Sequence, residues 1–527
     1  MARVVGDCQR NVALDGAESD SDRSSAEAHK DHIPLLQKLE DGDSVTASLE
    51  NDPLIMAENA AWRLAWEQPH LSAHAGVTKG QRRVFLALAG LVGVFALLWP
   101  DMAILSLAWV LAVFFSLIVL FRLILLGAGL FSAWRRQKEP VNFTGDENAL
   151  PVYSILAPMY RESGSIGQLI AALTQLNYPP EKLDIKLILE EDDLITLEAL
   201  KNISLPEQFE ILRVPPLAPR TKPKALNFAL QSARGEFMVI YDAEDIPGAN
   251  QLRKALAAFR ADGPKLACLQ ARLNYYNAGE NWLTRQFTLE YSMWFDWLLT
   301  GLQALGLPIP LGGTSNHFRT DVLREIGGWD AYNVTEDADL GLRLSRRGYR
   351  CAVLDSTTLE EANCRHVNWL RQRTRWQKGY MLTWLVHMRA PLELWRQLGP
   401  LGFLGFQLFV GGTVALALAM PAAGLVFMAS LCVCGPSIPP SLLWLNEVLF
   451  ITGMTGNALS AAAGAMGRRR HSLLPDILLT PFYWGMTWIA SLRALLQLTH
   501  SPFHWEKTRH AISRIAPVSL AAGNADN

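Results

Sequence analysis

Asn333-Val-Thr-Glu-Asp337 and, beyond an arginine-rich helical stretch and a short strand, Gln372-Arg-Thr-Arg375-Trp376 are the residues from which the chain is best read. The first places carboxylates at a helix start. The second sets guanidinium groups and an indole just ahead of an apolar segment. Singly, each has an ordinary explanation: acids in a first turn complement the helix dipole, and Arg or Trp at a membrane edge is usually an anchor. A third group, Tyr241-Asp242-Ala243-Glu244-Asp245, follows an apolar run upstream and makes the three an ordered series of polar clusters.

Around these clusters, Leu150 to Thr358 alternates short apolar runs with amphipathic stretches, the pattern of an α/β sheet. Strands are expected at Tyr153–Ala157, Ile185–Leu189, Phe209–Val214, Phe237–Tyr241 and Leu266–Leu273. Helices are expected at Ile166–Leu176, Pro223–Ala233, Gln251–Arg260, Asn281–Thr300 and Ala338–Arg347. Ligands of open α/β sheets bind beyond the carboxyl ends of strands. Glu190–Asp193 and Asp242–Asp245 stand at two such ends, which points to a site for a polar ligand.

Apolar runs flank this region. Val84–Trp99 and Met102–Phe131, divided by Pro100-Asp101, read as a hairpin of two membrane spans. Basic residues at both ends place those ends inside, and the following domain in the cytosol. Leu398–Ala429 and Leu442–Met466 are two further runs, separated by Gly435-Pro-Ser-Ile-Pro-Pro440. Leu473–Leu498 carries Asp476, Pro481 and Arg493 between two basic clusters, so an interfacial or re-entrant course is expected rather than a span. Residues 1–80 are polar, without a secretory signal, and read as a largely disordered cytosolic tail. Ile33–Leu36 and Ala60–Trp66 are two short apolar pieces within it. The expected order is this tail, a transmembrane hairpin at 81–136, a catalytic domain at 150–390, transmembrane or interfacial helices at 398–500, and a cytosolic tail at 501–527.

With 527 residues the chain exceeds one ordinary core. Its hydrophobic content of 50% and mean hydropathy of +0.12 average soluble and membrane segments. A net charge of −2 supplies no polyanion-binding surface, so nucleic acid is not an expected partner. Six cysteines fall at no zinc or disulfide spacing, and Cys432 and Cys434 read as small hydrophobes.

The acid-rich strand end, Thr-Glu-Asp and QxxRW, in this order, resemble the processive family 2 glycosyltransferases, the cellulose, chitin and hyaluronan synthase group. The resemblance covers about Val152 to Met388 with the flanking membrane segments. It implies a GT-A (Rossmann-like) α/β catalytic domain inserted between transmembrane helices of a multi-pass protein, in a bacterial inner membrane. It implies inverting transfer from a UDP-sugar to a growing β-linked polysaccharide, coupled to export. The alternatives are a single transfer to a lipid-linked acceptor, or an inactive nucleotide-binding transporter or scaffold.

The resemblance also implies roles. Asp242 and Glu244 occupy the metal-binding DxD positions for Mg²⁺ or Mn²⁺, with Asp245 open as an alternative to Glu244. Asp192, or else Glu191, stands where the family holds the nucleobase. Arg220-Thr-Lys222-Pro-Lys224-Ala-Leu-Asn227 matches the stretch along the nucleotide, with Lys224 and Asn227 as the contacts. Leu311-Gly-Gly313-Thr-Ser-Asn-His317 resembles the acceptor-side strand, where Gly313 permits close approach and Asn316 and His317 are candidate hydroxyl partners. Asp337, beside Glu336, is the candidate general base, in a helix capped by Thr335 and kept ionised by the helix dipole. Gln372, Arg375 and Trp376 complete the site through fork pairing and sugar stacking. Phe503-His-Trp505-Glu-Lys507-Thr508-Arg509 resembles the synthases' gating loop, with Lys507 toward the nucleotide; the other reading is an interfacial anchor.

Overall fold

A computed structural model describes residues 52–136, 147–419, 424, 439–508 and 512–515. Its centre is an eight-stranded mixed sheet in the order β3-β2-β1-β4-β7-β6-β8-β5. The strands are β1 (Tyr153–Met159), β2 (Leu183–Glu190), β3 (Phe209–Val214), β4 (Phe237–Ile240), β5 (Ile246–Pro247), β6 (Leu266–Tyr275), β7 (Asn316–Arg319) and β8 (Arg350–Glu360). β3, β2, β1 and β4 run parallel. β7 then reverses against both β4 and β6. The five expected strands are all present. The short strand expected between Asp337 and Gln372 is β8, and β7 begins at the end of the stretch Leu311–His317; β5, of two residues, is too short for a period.

Alternate residues of β1 face two different cores. Tyr153, Ile155 and Ala157 join one core with the helices at Ile166–Thr174 and Gln251–Asp262. Leu156 joins the other, which includes the helices at Lys222–Ser232 and Trp282–Tyr291. Every residue of β2 is buried, as befits a parallel strand covered on both faces. Its one internal cation, Lys186, pairs with Asp184 at 3.3 Å and Glu210 at 2.7 Å.

The N-terminal region departs from expectation. Residues 53–67 form helix α1 (Pro53–Glu67), started by Pro53 and by the Asp52 carboxylate, which accepts from the Leu54 N–H at 2.8 Å. Ala57, Ala60 and Leu64 are buried, and α1 lies on the helix at Lys222–Ser232. A disordered tail is therefore the wrong reading for this segment. Of its two apolar pieces, Ala60–Trp66 docks and Ile33–Leu36 lies outside the described residues.

Among the described residues four helices are long and apolar enough to cross a membrane: Lys79–Leu98, Pro100–Arg135, Pro391–Ala419 and Pro440–Gly467. The expected hairpin and the starts of both later runs are present; residues 420–429 (except Gly424), Cys432, Cys434 and most of the Gly435–Pro440 connection lie outside the described residues. The second membrane helix crosses the helix at Leu299–Ala304 so closely that a Cβ at Gly301 would run into the Leu125 backbone. This contact joins the sheet domain to the apolar helices. Leu473–Leu498 forms a 3₁₀ stretch, His471–Leu479, followed by helix α2 (Thr480–His500), which packs along the helix at His366–His387. Its charges are paired: Asp476 with Arg285 at 3.3 Å and Arg493 with Glu506 at 2.9 Å.

Candidate active site

The acidic turn after β4 is folded by its own side chains. Asp245 turns inward, where its Oδ2 accepts from the Asp242 N–H at 2.7 Å and from the Thr314 hydroxyl, and it is fully buried. Asp242 and Glu244 instead line a cavity. The choice left open in the sequence thus falls to Glu244 as the cavity-facing second acid. Asp242 receives the Lys222 ammonium, which also donates to the Gly313 carbonyl at 2.8 Å. Burial opposes charge on Lys222, but Asp242, Glu336 and Asp245 outweigh it and hold its pKa above the ordinary lysine value.

Glu336 and Asp337 open the helix Glu336–Arg346. Thr335 occupies the N-cap position without making a cap hydrogen bond. Its side chain is instead pressed against Gly379 of the helix His366–His387, where an added Cβ would overlap it. Burial pushes the Asp337 carboxyl up to about 6. Burial and then the neighbouring Asp337 raise Glu336 further. Gly313 faces this acid: a Cβ there would sit 3.3 Å from Asp337 Oδ2, so the glycine keeps the space open.

Five of the candidate residues lie outside the cavity lining. Lys224 is fully buried and donates to Glu190 and to the carbonyls of Pro215 at 3.2 Å and Leu217 at 2.9 Å, so it holds the loop after β3. Asn227 donates to the carbonyls of Ala60 and Trp329 and accepts from the Trp329 N–H, which fastens α1 to the domain. His317 is buried between Tyr153 and Gln251, with burial pushing its pKa down to about 3, and Asn316 donates to the Gly312 carbonyl. Neither lines the cavity. Asp192 pairs with Arg220 outside the cavity lining, while Arg220 and Glu190 line it.

The helix His366–His387 brings Gln372, Arg375 and Trp376 to the cavity wall. Gln372 accepts from Asn363 at 2.8 Å. Trp376 stacks near Tyr291 at 6.2 Å, and the Arg375 guanidinium lies 4.4 Å from the Trp505 ring centroid. The Lys507 ammonium sits 3.0 Å from the Tyr160 ring centroid, and burial brings its pKa down to about 8. The tail residues Trp505 and Lys507 therefore stand beside QxxRW; Arg509 is outside the described residues. Sequence reading passes over Tyr160, Lys222 and Glu360. It also passes over Arg373, which forks onto Glu290 while Tyr483 bonds both.

Asp242, Glu244, Lys222, Asp337, Arg375, Trp376 and Lys507 border one cavity of about 2200 Å³. It begins among Asp242, Asp337, Lys222 and Lys507, passes Tyr291, Trp294, Trp376 and Tyr380, and continues between membrane helices to Leu107, Leu111, Leu449 and Phe450. Among the described residues no three His, Cys, Asp or Glu side chains are arranged to hold a metal. The donor chemistry nonetheless fits a hard divalent cation held by one or two carboxylates and by ligand oxygens. Asp245 Oδ1 and Glu360 Oε1 are buried acceptors without partners. Burial, and after it the charges of the neighbouring acids, push both carboxyls well above their ordinary range. A dication beside Asp242 and Glu244 would relieve that excess of negative charge.

Residues 237–431 match the family model "Glycosyl transferase family group 2". The chain is 26% identical over 281 residues to the probable glycosyltransferase YdaM of Bacillus subtilis, covering 52% of this chain and 64% of that protein. It is 27% identical over 238 residues to a beta-monoglucosyldiacylglycerol synthase of Trichormus variabilis, covering 44% and 50%. It is 27% identical over 263 residues to cellulose synthase 2 of Novacetimonas hansenii, covering 47% and 16%. The chain thus spans less than two thirds of these relatives' lengths. Among solved structures, a mannosyltransferase from Pyrobaculum calidifontis, in complex with GDP-Man and Mn²⁺, aligns at a TM-score of 0.43 and 18% identity over 73% of this chain and 99% of that one. The matched residues hold β4 with its acidic turn, the Thr-Glu-Asp helix and QxxRW, so over residues 237–431 the chain is similar to the family 2 group glycosyltransferases, within an α/β sheet flanked by helices long and apolar enough to cross a membrane.

Proposed function

We propose that the protein is an inverting, metal-dependent membrane glycosyltransferase that moves a sugar from a UDP-sugar onto the end of a β-linked glycan. The continuity of the cavity carries this reading: it joins the acids of the strand end and of Thr-Glu-Asp to the space between the membrane helices. In this reading the acceptor hydroxyl attacks the anomeric carbon, the bond to the diphosphate breaks, and the hydroxyl proton passes to Asp337. Glu336, the higher of the two adjacent acids, stays protonated and leaves Asp337 as the ionised one. Lys222, Arg375 and Lys507 neutralise the departing diphosphate, Trp376 offers a flat face to the sugar, and Gln372 and Gly313 shape the acceptor side. Asp242 and Glu244 would hold Mg²⁺ or Mn²⁺, which supplies charge neutralisation of the leaving group when bound. Asp192 stays a rim residue on the nucleobase side. The basic residues flanking the membrane runs support a cytosolic placement of the domain.

A second reading rests on a specific observation. The membrane end of the cavity is lined mainly by Leu107, Leu111, Phe115, Leu416, Leu449 and Phe450, which suits a lipid-borne acceptor. Purified protein given a radiolabelled donor decides between them. Ethanol-insoluble product of many sugars supports elongation. Label confined to the organic phase, one sugar per lipid, establishes the second reading and overturns the first.

A further inference from the structure

The tail that brings Trp505 and Lys507 to the cavity is held from below by a segment at the other end of the chain. Phe503 lies against His74, with ring centroids 6.5 Å apart and planes 14° apart, and edge-on to Tyr332 at 5.7 Å. Trp62 of α1 closes the cluster, 4.8 Å from His74 and 5.1 Å from Tyr332. The segment bearing Trp62 and His74 is firmly tied to the domain. Asp330 accepts from the Ser72 hydroxyl and from the Ala73 N–H, and Arg389 donates to the carbonyls of Ser72 and Gly76, both at 2.7 Å. Asp330 also accepts from the Tyr332 N–H, so the same anchor fixes the loop that leads into Glu336 and Asp337.

From the opposite side, the fully buried Lys378 ammonium donates to the carbonyls of Ser501 at 3.1 Å and His504 at 2.9 Å. Phe503 is thus gripped on its ring by the N-terminal segment while its neighbours' carbonyls are gripped by the helix that carries Arg375. Nothing in α1 reaches the cavity, and none of Trp62, His74, Tyr332 or Phe503 lines it. A segment buried only for stability would need no contact with the tail. Here the contact falls two residues before Trp505.

We propose that residues 53–76 are a brace that positions the tail Ser501–Thr508 over the donor site, with Phe503 seated on His74, Tyr332 and Trp62 as its joint and Lys378 as its second pin. These are positioning residues: they act on bound donor only through Trp505 and Lys507. The kinetic part of this inference rests on the cavity being the donor site; the placement of the tail does not.

The test uses the full-length protein with Trp62→Ala, Phe503→Ala and Phe503→Tyr. Amide hydrogen exchange across 501–508 is read without substrate, and donor KM and kcat are read separately. Loss of an aromatic contact changes an equilibrium by about tenfold. Both alanine variants are therefore expected to exchange about tenfold faster in 501–508 and to raise donor KM by a similar factor, with kcat nearly unchanged. Phe503→Tyr, which keeps the ring, is expected to restore both. Wild-type exchange and KM in the alanine variants overturn the brace, as does a fall in kcat and melting temperature with KM unchanged. Should Trp62→Ala not fold, the Phe503 pair decides alone. Faster exchange without catalysis by any variant or by wild type leaves the brace standing and counts against the transferase reading instead.

Discussion

Lys222 and Lys224 sit two apart at the start of one helix, which places them on opposite sides of it. One meets Asp242 and Gly313 in the cavity; the other is sealed beneath the strand ends with Glu190. A stretch with two lysines and an intervening proline shows the charge but not which face turns to the cavity, which Lys222 lines and Lys224 does not. Lys222→Met is expected to reduce kcat/KM by at least about tenfold with little change in melting temperature, since it removes one charge-assisted contact to the diphosphate. Lys224→Met should instead destabilise by about 3–5 kcal/mol, because Glu190 would stay buried without its cation. Denaturant unfolding beside a kinetic assay separates the two.

Asp337 can be tested in the same way. A general base works ionised, and burial raises its pKa to about 6, so kcat/KM should climb with pH through that region and not through the ordinary carboxylate range. Asp337→Asn should reduce kcat by about 10²–10⁴-fold while UDP binding survives. The stability sign follows from linkage. A carboxyl titrating higher in the folded than in the unfolded chain contributes stability that is full below the unfolded pKa and lost as pH rises through the folded one. The Asn variant should therefore melt above wild type at about pH 7.5 and level with it near pH 4; melting curves at the two values check this.

At the level of elements, the helix Glu336–Arg346 and the helix His366–His387 meet where Thr335 presses on Gly379. That contact brings the base and QxxRW to one cavity. Both helices are legible from their motifs, but their approach is not, because a lone glycine inside a helix has no periodic signature. Gly379→Ala forces a methyl into the Thr335 side chain, and overpacking of this kind costs about 1–3 kcal/mol. The expected outcome is a lower melting temperature together with a loss of kcat larger than that at Gly167→Ala, a helical position with open space. α1 escapes a sequence reading for a related reason. Its buried face is made mainly of alanines, and Ala57, Ala60 and Ala61 give a hydrophobic stripe too slight to stand out from polar surroundings.

Across the whole molecule, the alternation of strands and helices and the order of the three clusters show a sheet with its site at the strand ends. The membrane segments are legible because apolar length is a direct measure of span. The charges within Leu473–Leu498, from which an interfacial or re-entrant course is expected, are paired in the fold. If this segment does not cross, Ser472 and His500, both exposed, lie on the same side as the catalytic domain. Single cysteines at these two positions, in a cysteine-free background, should both resist a membrane-impermeant thiol reagent in intact cells and react after permeabilisation. Labelling of His500→Cys alone in intact cells would show a crossing.

One cavity, on this reading, both binds a nucleotide sugar and deprotonates an acceptor with Asp337. The decisive measurement is release of nucleoside diphosphate by purified full-length protein in a membrane mimetic, across a panel of UDP- and GDP-sugars. Release from a UDP-sugar is expected to stop in EDTA, return with Mg²⁺ or Mn²⁺, and fall by about 10²-fold or more in Asp337→Asn. No release from any donor, or equal release by Asp337→Asn, would contradict it.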